Sequence, residues 1–194
     1  MKSLILLLKQ LAYVSTDLEI RLEELLEYVE FPKDHKILKT GQVCHHITFI
    51  ESGLVRIFYW KDIEEVTTWL LKENDIFIAP QSFLGQEPSH EDIVALEPCR
   101  GWRITYQQLN ELCCLYPEFL WHYTRIMGDY YLRHLRMNSN MVRQSSLEKY
   151  ANLIENDPEL LLRVPAKYLY SYLDMSKASF ERARDEYARK KGRA

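Results

Sequence analysis

The spacing of apolar residues changes twice along the chain. Over 3–12 and 15–30, apolar positions recur three and four apart, with Leu18, Leu22, Leu25, Leu26 and Val29 in the second stretch. This spacing predicts two helices, the second capped by Ser15 or Thr16. At Phe31-Pro32 the texture shortens. HKILK, HITFIE, LVRIFYW, EEVTTWLL, NDIFIAP, EDIVALE and CRGWRI follow, punctuated by Thr40-Gly41, Ser52-Gly53 and Pro98. About seven short β-type runs with no long helix between them predict an antiparallel sandwich or barrel.

The helical period returns at Thr105. TYQQLNELCCLY is one short helix, and Pro117 opens a longer one from Glu118 to Met141. Phe119, Tyr123, Ile126, Tyr130 and Met137 stack along one face, and Leu120, Met127, Tyr131 and Leu135 widen it. A helix facing only water does not tolerate that much apolar area, so the β-region, a second subunit or both must cover it. A further helix over Ser145–Glu155 leads to Asp157-Pro158.

The segment from Val164 to Arg184, VPAKYLYSYLDMSKASFERAR, reads as two short helices with a tight break. Leu169, Tyr172 and Leu173 give the first a buried face, Asp174-Met175-Ser176 interrupts it, and Ser176 is placed to cap the second. Ala178, Phe180 and Ala183 offer packing positions, while Lys177, Arg182 and Arg184 put positive charge near the helix start. This division suits a helix-turn-helix that reads DNA, although a plain helical hairpin shows it too.

Charge sharpens the second picture. The chain has 194 residues and a net charge of −3. Residues 1–115 hold 11 basic and 18 acidic groups, whereas 143–194 hold 11 and 8. A basic end on an acidic body locates attraction for a polyanion at one end. Cys44, Cys99, Cys113 and Cys114 lack metal-type spacing and read as reduced thiols. MKSLILLLKQL is too short in its apolar part for a signal peptide, and no stretch reaches the ~20 apolar residues of a membrane span. A soluble, cytoplasmic protein is expected.

Helices, a β-roll, a long apolar helix and a helix-turn-helix are, in that order, the layout of one family. The chain resembles Crp/Fnr-type transcription regulators over almost its whole length. The carrying segments are Lys33–Tyr59, with Gly41 and Gly53 in its turns, Glu64–Phe77, Ser82–Glu97, and the C-terminal motif. The last three are similar to a divergent subgroup of that family.

The resemblance implies an α+β fold: a cyclic-nucleotide-binding-like β-roll over 1–116, a connecting dimerisation helix over 117–142, and a helix-turn-helix domain over 143–194. It implies double-stranded DNA and a second copy of the chain as partners, with RNA polymerase and an unidentified small-molecule effector as further ones. Ser176, Lys177, Ser179, Glu181, Arg182 and Arg184 are then the DNA-contacting positions. Arg182 suits a guanine edge, because its planar fork matches O6 and N7. Phe119, Tyr123, Ile126, Met127 and Tyr130 are the dimer-helix positions, and Gln81, Ser82, Ser89 and His90 are nearest the family's effector pocket.

Two departures qualify the resemblance. Cyclic-nucleotide binders of the family carry a phosphate-neutralising arginine, whereas Ile78 to Glu91 contains neither Arg nor Lys and includes Glu87 and Glu91. A cyclic phosphate there would be desolvated without a cation, so cyclic AMP and GMP are disfavoured. The sequence also stops at Ala194, leaving the β-hairpin wing reduced or absent, and Asp174 stands where the motif's turn usually has glycine. A protein–protein adaptor or ligand-binding module that kept the fold without DNA binding is the alternative.

Catalysis and cofactors find no support. His45 and His46 are neighbours on a strand and point to opposite faces, which does not suit a shared metal. The cysteines do not cluster as an iron–sulfur centre requires. No nucleophile–base spacing or phosphate loop stands out, so neither an enzyme nor a resident metal or cofactor is expected. Trp60, Trp69 and Trp102 fall in strand runs and read as core rather than as a stacking platform.

Overall fold

The computed structural model describes residues 1–191; the last three residues of the basic ARKKGRA tail lie outside that range. The chain divides into two compact units. Met1–Tyr59 and Thr68–Asp129 form the first, and Trp60–Thr67 with the residues from Tyr130 onward form the second.

The first unit opens with α1 (Lys2–Leu11) and α2 (Thr16–Leu25). Ser15 caps α2 by accepting from the Leu18 amide at 3.1 Å, as its sequence position predicts. The predicted second helix does not run to Glu30. Leu26 is already extended, and Glu27–Phe31 forms β1, paired antiparallel with the strand Cys99–Thr105. Leucines at helical spacing continue across the boundary, but ladder pairing overrides the local preference of five residues.

The remaining strands are β2 (Lys36–Leu38), β3 (His46–Ser52), β4 (Val55–Lys61), β5 (Glu64–Leu71), β6 (Ile76–Phe77), β7 (Glu91–Ala95) and β8 (Cys99–Thr105). They form two four-stranded sheets, ordered β1-β8-β3-β6 and β2-β7-β4-β5. Each sheet joins strands distant in sequence, as a roll requires. Gly53 turns β3 into β4 at φ 105°, and a side chain there would meet the Cys99 sulfur at 2.6 Å, so both backbone and space demand glycine. Leu54, Val55, Ile57 and Ile93 are fully buried in the core. A short helix the sequence did not announce, α3 (Pro80–Gly85), interrupts the strands, and α4 (Tyr106–Leu115) follows them behind a Thr105/Gln108 capping box.

The long helix α5 (Pro117–Arg143) contributes to both units. Its first turns are pinned in the first unit. The Ser15 hydroxyl donates to Glu118 at 2.7 Å, which holds that carboxyl below its usual range. His122, fully buried, bonds the Tyr13 carbonyl at 2.9 Å. Phe119, Tyr123 and Ile126 line an apolar cavity of about 60 Å³ with Leu4, Leu22 and Trp102.

In the second unit α6 (Ser146–Asn156), α7 (Leu160–Arg163), α8 (Ala166–Tyr172) and α9 (Lys177–Lys191) follow. Phe180 is the hub of this unit, meeting Tyr150 edge-to-face at 5.3 Å and Tyr170 at 6.4 Å. Leu153, Leu169, Leu173 and Ala183 are buried with it. Trp60–Thr67 belongs here as well. Ser171 on α8 accepts from the Thr67 amide at 2.9 Å and donates to the Glu65 carbonyl at 3.0 Å. Among the described residues no helix is long and apolar enough to cross a membrane.

Candidate nucleic-acid interface

Helices α8 and α9 are joined by four residues whose geometry is set locally. Asp174 takes the left-handed conformation at φ 50°, in the place where the sequence lacks a glycine. The Met175 amide then closes onto the Tyr170 carbonyl at 2.8 Å. Ser176 starts α9 by accepting from the Ser179 amide at 3.1 Å, the cap its position predicts. Phe180 and Ala183 turn inward, which leaves Lys177, Ala178, Glu181 and Arg182 exposed on the first two turns.

The predicted DNA-contacting residues therefore share the start of one helix, but they are not electrostatically alike. Lys177 lies 3.9 Å from Glu181, and Arg184 bonds Asp185 at 3.2 Å. Arg182 has no carboxylate partner among the described residues. Its guanidinium reaches back along its own helix to the Ala178 carbonyl and the Ser179 hydroxyl, both at 3.3 Å. Two long hydrogen bonds on an exposed side chain are easily exchanged for better acceptors. Ser176 and Ser179 bond each other at 3.0 Å, so their hydroxyls hold the cap together.

The residues predicted near the effector pocket divide into two pairs. Ser82 and Ser89 are buried. The Ser82 hydroxyl accepts from the Cys44 amide at 2.9 Å and donates to the Glu87 carbonyl. Ser89 exchanges hydrogen bonds with the Glu91 backbone at 2.9 and 3.0 Å. Gln81 and His90 are exposed.

On α5, Phe119, Tyr123 and Ile126 face their own unit, while Met127 and Tyr130 are half-buried. A different stripe is open. Trp121, Gly128, Leu135 and Val142 repeat every seven residues, with Thr124, Tyr131 and Asn138 between them, and all seven are exposed. A side chain added at Gly128 would meet nothing within 4 Å. Tyr131 and Leu135 belong to the widened apolar surface expected from the sequence, whereas glycine, threonine and asparagine dilute the apolar signal of the rest of the seam.

The architecture has known counterparts. Residues 28–114 match the family model of the cyclic nucleotide-binding domain. The mouse voltage-gated inwardly rectifying potassium channel KCNH7 is 28% identical over 134 residues, which is 68% of this chain and about a tenth, 10%, of the channel. Solved structures share the fold at low identity. The c-di-GMP responsive global regulator CLP of Xanthomonas campestris superposes with a TM-score of 0.72 at 14% identity, over 91% of this chain and 93% of that one. FixK2 from Bradyrhizobium japonicum gives 0.71 at 16%, with 86% of each chain covered. A protein from Eubacterium rectale assigned to the crp/fnr family of transcriptional regulators gives 0.70 at 13%, over 91% and 85%. These likenesses show a β-roll with flanking helices and a long helix, a fold shared with a global regulator and with a regulator of the crp/fnr family.

Proposed function

We propose that this chain is a DNA-binding transcription regulator of the Crp/Fnr type, not an enzyme, that works as a homodimer without cyclic AMP as its signal. The start of α9 carries this reading: a capped helix with Arg182 exposed and without a carboxylate partner, behind a left-handed turn at Asp174. Such a helix end offers a base-reading fork, and Arg189, Lys190 and Lys191 farther along suit backbone phosphates.

Dimerisation follows from α5. A seven-residue repeat of exposed Trp121, Gly128, Leu135 and Val142 is a coiled-coil seam, which Leu120 and Met127 flank. Gly128 within a helix is unfavourable by about 1 kcal/mol relative to alanine, and a close helix crossing accounts for it. Two-fold pairing there would present two copies of α9 to a symmetric DNA site.

Cyclic AMP is disfavoured by the absence of Arg and Lys from Ile78 to Glu91 and by the internal engagement of Ser82 and Ser89. Gln81 and His90 are the side chains left to meet another effector at that place. The test is retention of mixed-sequence duplex DNA across a salt series, alongside the Leu135→Glu variant. Retention should fall steeply with salt, because phosphate contacts release counterions. Leu135→Glu should run as a monomer in light scattering and lose DNA. Retention that ignores salt, or a variant that stays dimeric, contradicts the reading.

A further inference from the structure

Helices α5 and α6 line a common cavity through stripes that are polar where paired helices ordinarily bury apolar side chains. Arg133, Arg136 and Asn140 lie on the α5 stripe, and Gln144 follows just past its end. Lys149 and Asn152 face the same space from α6. The cavity measures about 230 Å³ and ends against Tyr172 and Leu173, just before the turn that leads into α9.

Lys149 decides what the space is for. The residue is only 8% exposed, yet its ammonium has no hydrogen bond or ion pair among the described residues. Its stem is buried while the ammonium itself keeps contact with the water of the cavity, so the charge stays available to an incoming anion. Lys149 is also the fourth residue of α6, close to the helix end whose dipole repels a cation. The neighbouring carboxylate does not relieve it, because Glu148 accepts from the Ser145 amide and hydroxyl, both at 2.8 Å. Asp157 is the sole acidic side chain among the lining residues, against three basic ones, so the wall carries a net charge of about +2 at neutral pH.

We propose that this cavity binds a small organic dianion, with carboxylate or phosphate groups on a short carbon frame. Lys149 and Arg136 hold the acidic groups, guanidinium and ammonium being the natural partners of both oxyanions. The amide of Asn152, fixed to Gln144 at 2.9 Å, supplies directional hydrogen bonding, and Met137 and Leu153 give the carbon frame an apolar wall. Size limits the ligand. A cavity of about 150 Å³ takes benzene, so this one suits roughly nine non-hydrogen atoms and is too small for a nucleotide. The site goes beyond the regulator reading: it is an input in the helical unit, adjoining the Leu173–Asp174 turn and independent of the family's pocket in the roll.

The test is calorimetry on the full chain at fixed ionic strength, without DNA, using inorganic pyrophosphate, 3-phosphoglycerate and citrate as probes. At least one should bind with a millimolar or lower dissociation constant, and Lys149→Gln and Arg136→Gln should each weaken it tenfold or more. Binding by none of the three probes overturns the proposal. So does equal binding by Arg136→Gln, which changes an exposed residue and leaves the fold intact. Displacement of the bound probe by mixed-sequence duplex DNA would make the cavity part of the DNA face and also contradict it. Because the probes are scored without DNA, failure here leaves the DNA reading standing, and failure of DNA retention leaves this site standing.

Discussion

The β-roll and the C-terminal helical unit treat their polar side chains in opposite ways. In the roll, hydroxyls and carboxylates close on one another or on the backbone. Thr40 donates to Asp92 at 2.8 Å, Thr68 meets Glu91 at 3.0 Å, and Ser82 and Ser89 bond backbone. Burial pushes the Cys44 and Cys99 thiols up, so neither is a ready nucleophile. In the helical unit, Arg182 lacks a carboxylate and Lys149 lacks any partner among the described residues. Closed networks hold a frame rigid, whereas open cations leave a surface something to offer. The difference separates the part of the molecule that supports from the part that makes contact.

Removing the hub of the helical unit should have the largest effect. Phe180→Ala deletes the ring that meets Tyr150 and Tyr170 and should destabilise this unit by about 3–5 kcal/mol. Urea unfolding followed by near-ultraviolet circular dichroism measures it. A loss under 1 kcal/mol would mean that α9 is not anchored through this residue.

A smaller effect tests whether the roll's polar groups are closed. Ser82→Ala leaves the buried Cys44 amide without its acceptor and should cost about 1–3 kcal/mol. Gln81→Ala, one residue earlier and exposed, should stay within about 0.5 kcal/mol. Equal losses would erase the distinction between frame residues and free ones.

The smallest effect is a pH dependence on the outer face of the roll. Arg103 grips Glu27 with two hydrogen bonds, at 2.9 and 2.8 Å, and holds its carboxyl below the usual range. A lowered folded-state pKa means stabilisation that is complete above the unfolded carboxylate value of about 4.3 and fades as the pH falls through the folded value. The pair is largely exposed, so the contribution is roughly 0.2–1 kcal/mol at most. Melting of Glu27→Gln between pH 7 and pH 3 should show a deficit at the upper end that closes at the lower. A deficit unchanged by pH would mean that packing, not charge, is responsible.

Local signals were legible in the sequence and tertiary ones were not. Residues 64–71 read as a strand and form β5 with the same limits, because β-branched and aromatic residues run unbroken there. The Ser176 cap was legible for the same reason: it depends on three neighbouring residues. Glu27 to Glu30 have the leucine spacing of a helix yet form strand, because that spacing carries no information about β8, which arrives from about seventy residues away. On α5 the strongest apolar stripe, Phe119, Tyr123 and Ile126, packs within its own unit, and the weaker seven-residue seam is the open one. The candidate DNA contacts could be named from the motif. The isolation of Lys149 could not, since neither its burial nor its missing partner is written in neighbouring residues.

The central claim is that α9 reads DNA as one of a symmetric pair, and selection of bound fragments from random duplexes tests it most directly. The wild-type chain should enrich a two-fold symmetric site with half-sites about one DNA turn, roughly 34 Å, apart. Arg182→Ala should relax the preference at one base pair of each half-site, at a loss of about 1–3 kcal/mol on the preferred sequence. Recovery of no sequence above background, or a loss from Arg182→Ala that falls equally on selected and random DNA, would contradict the account.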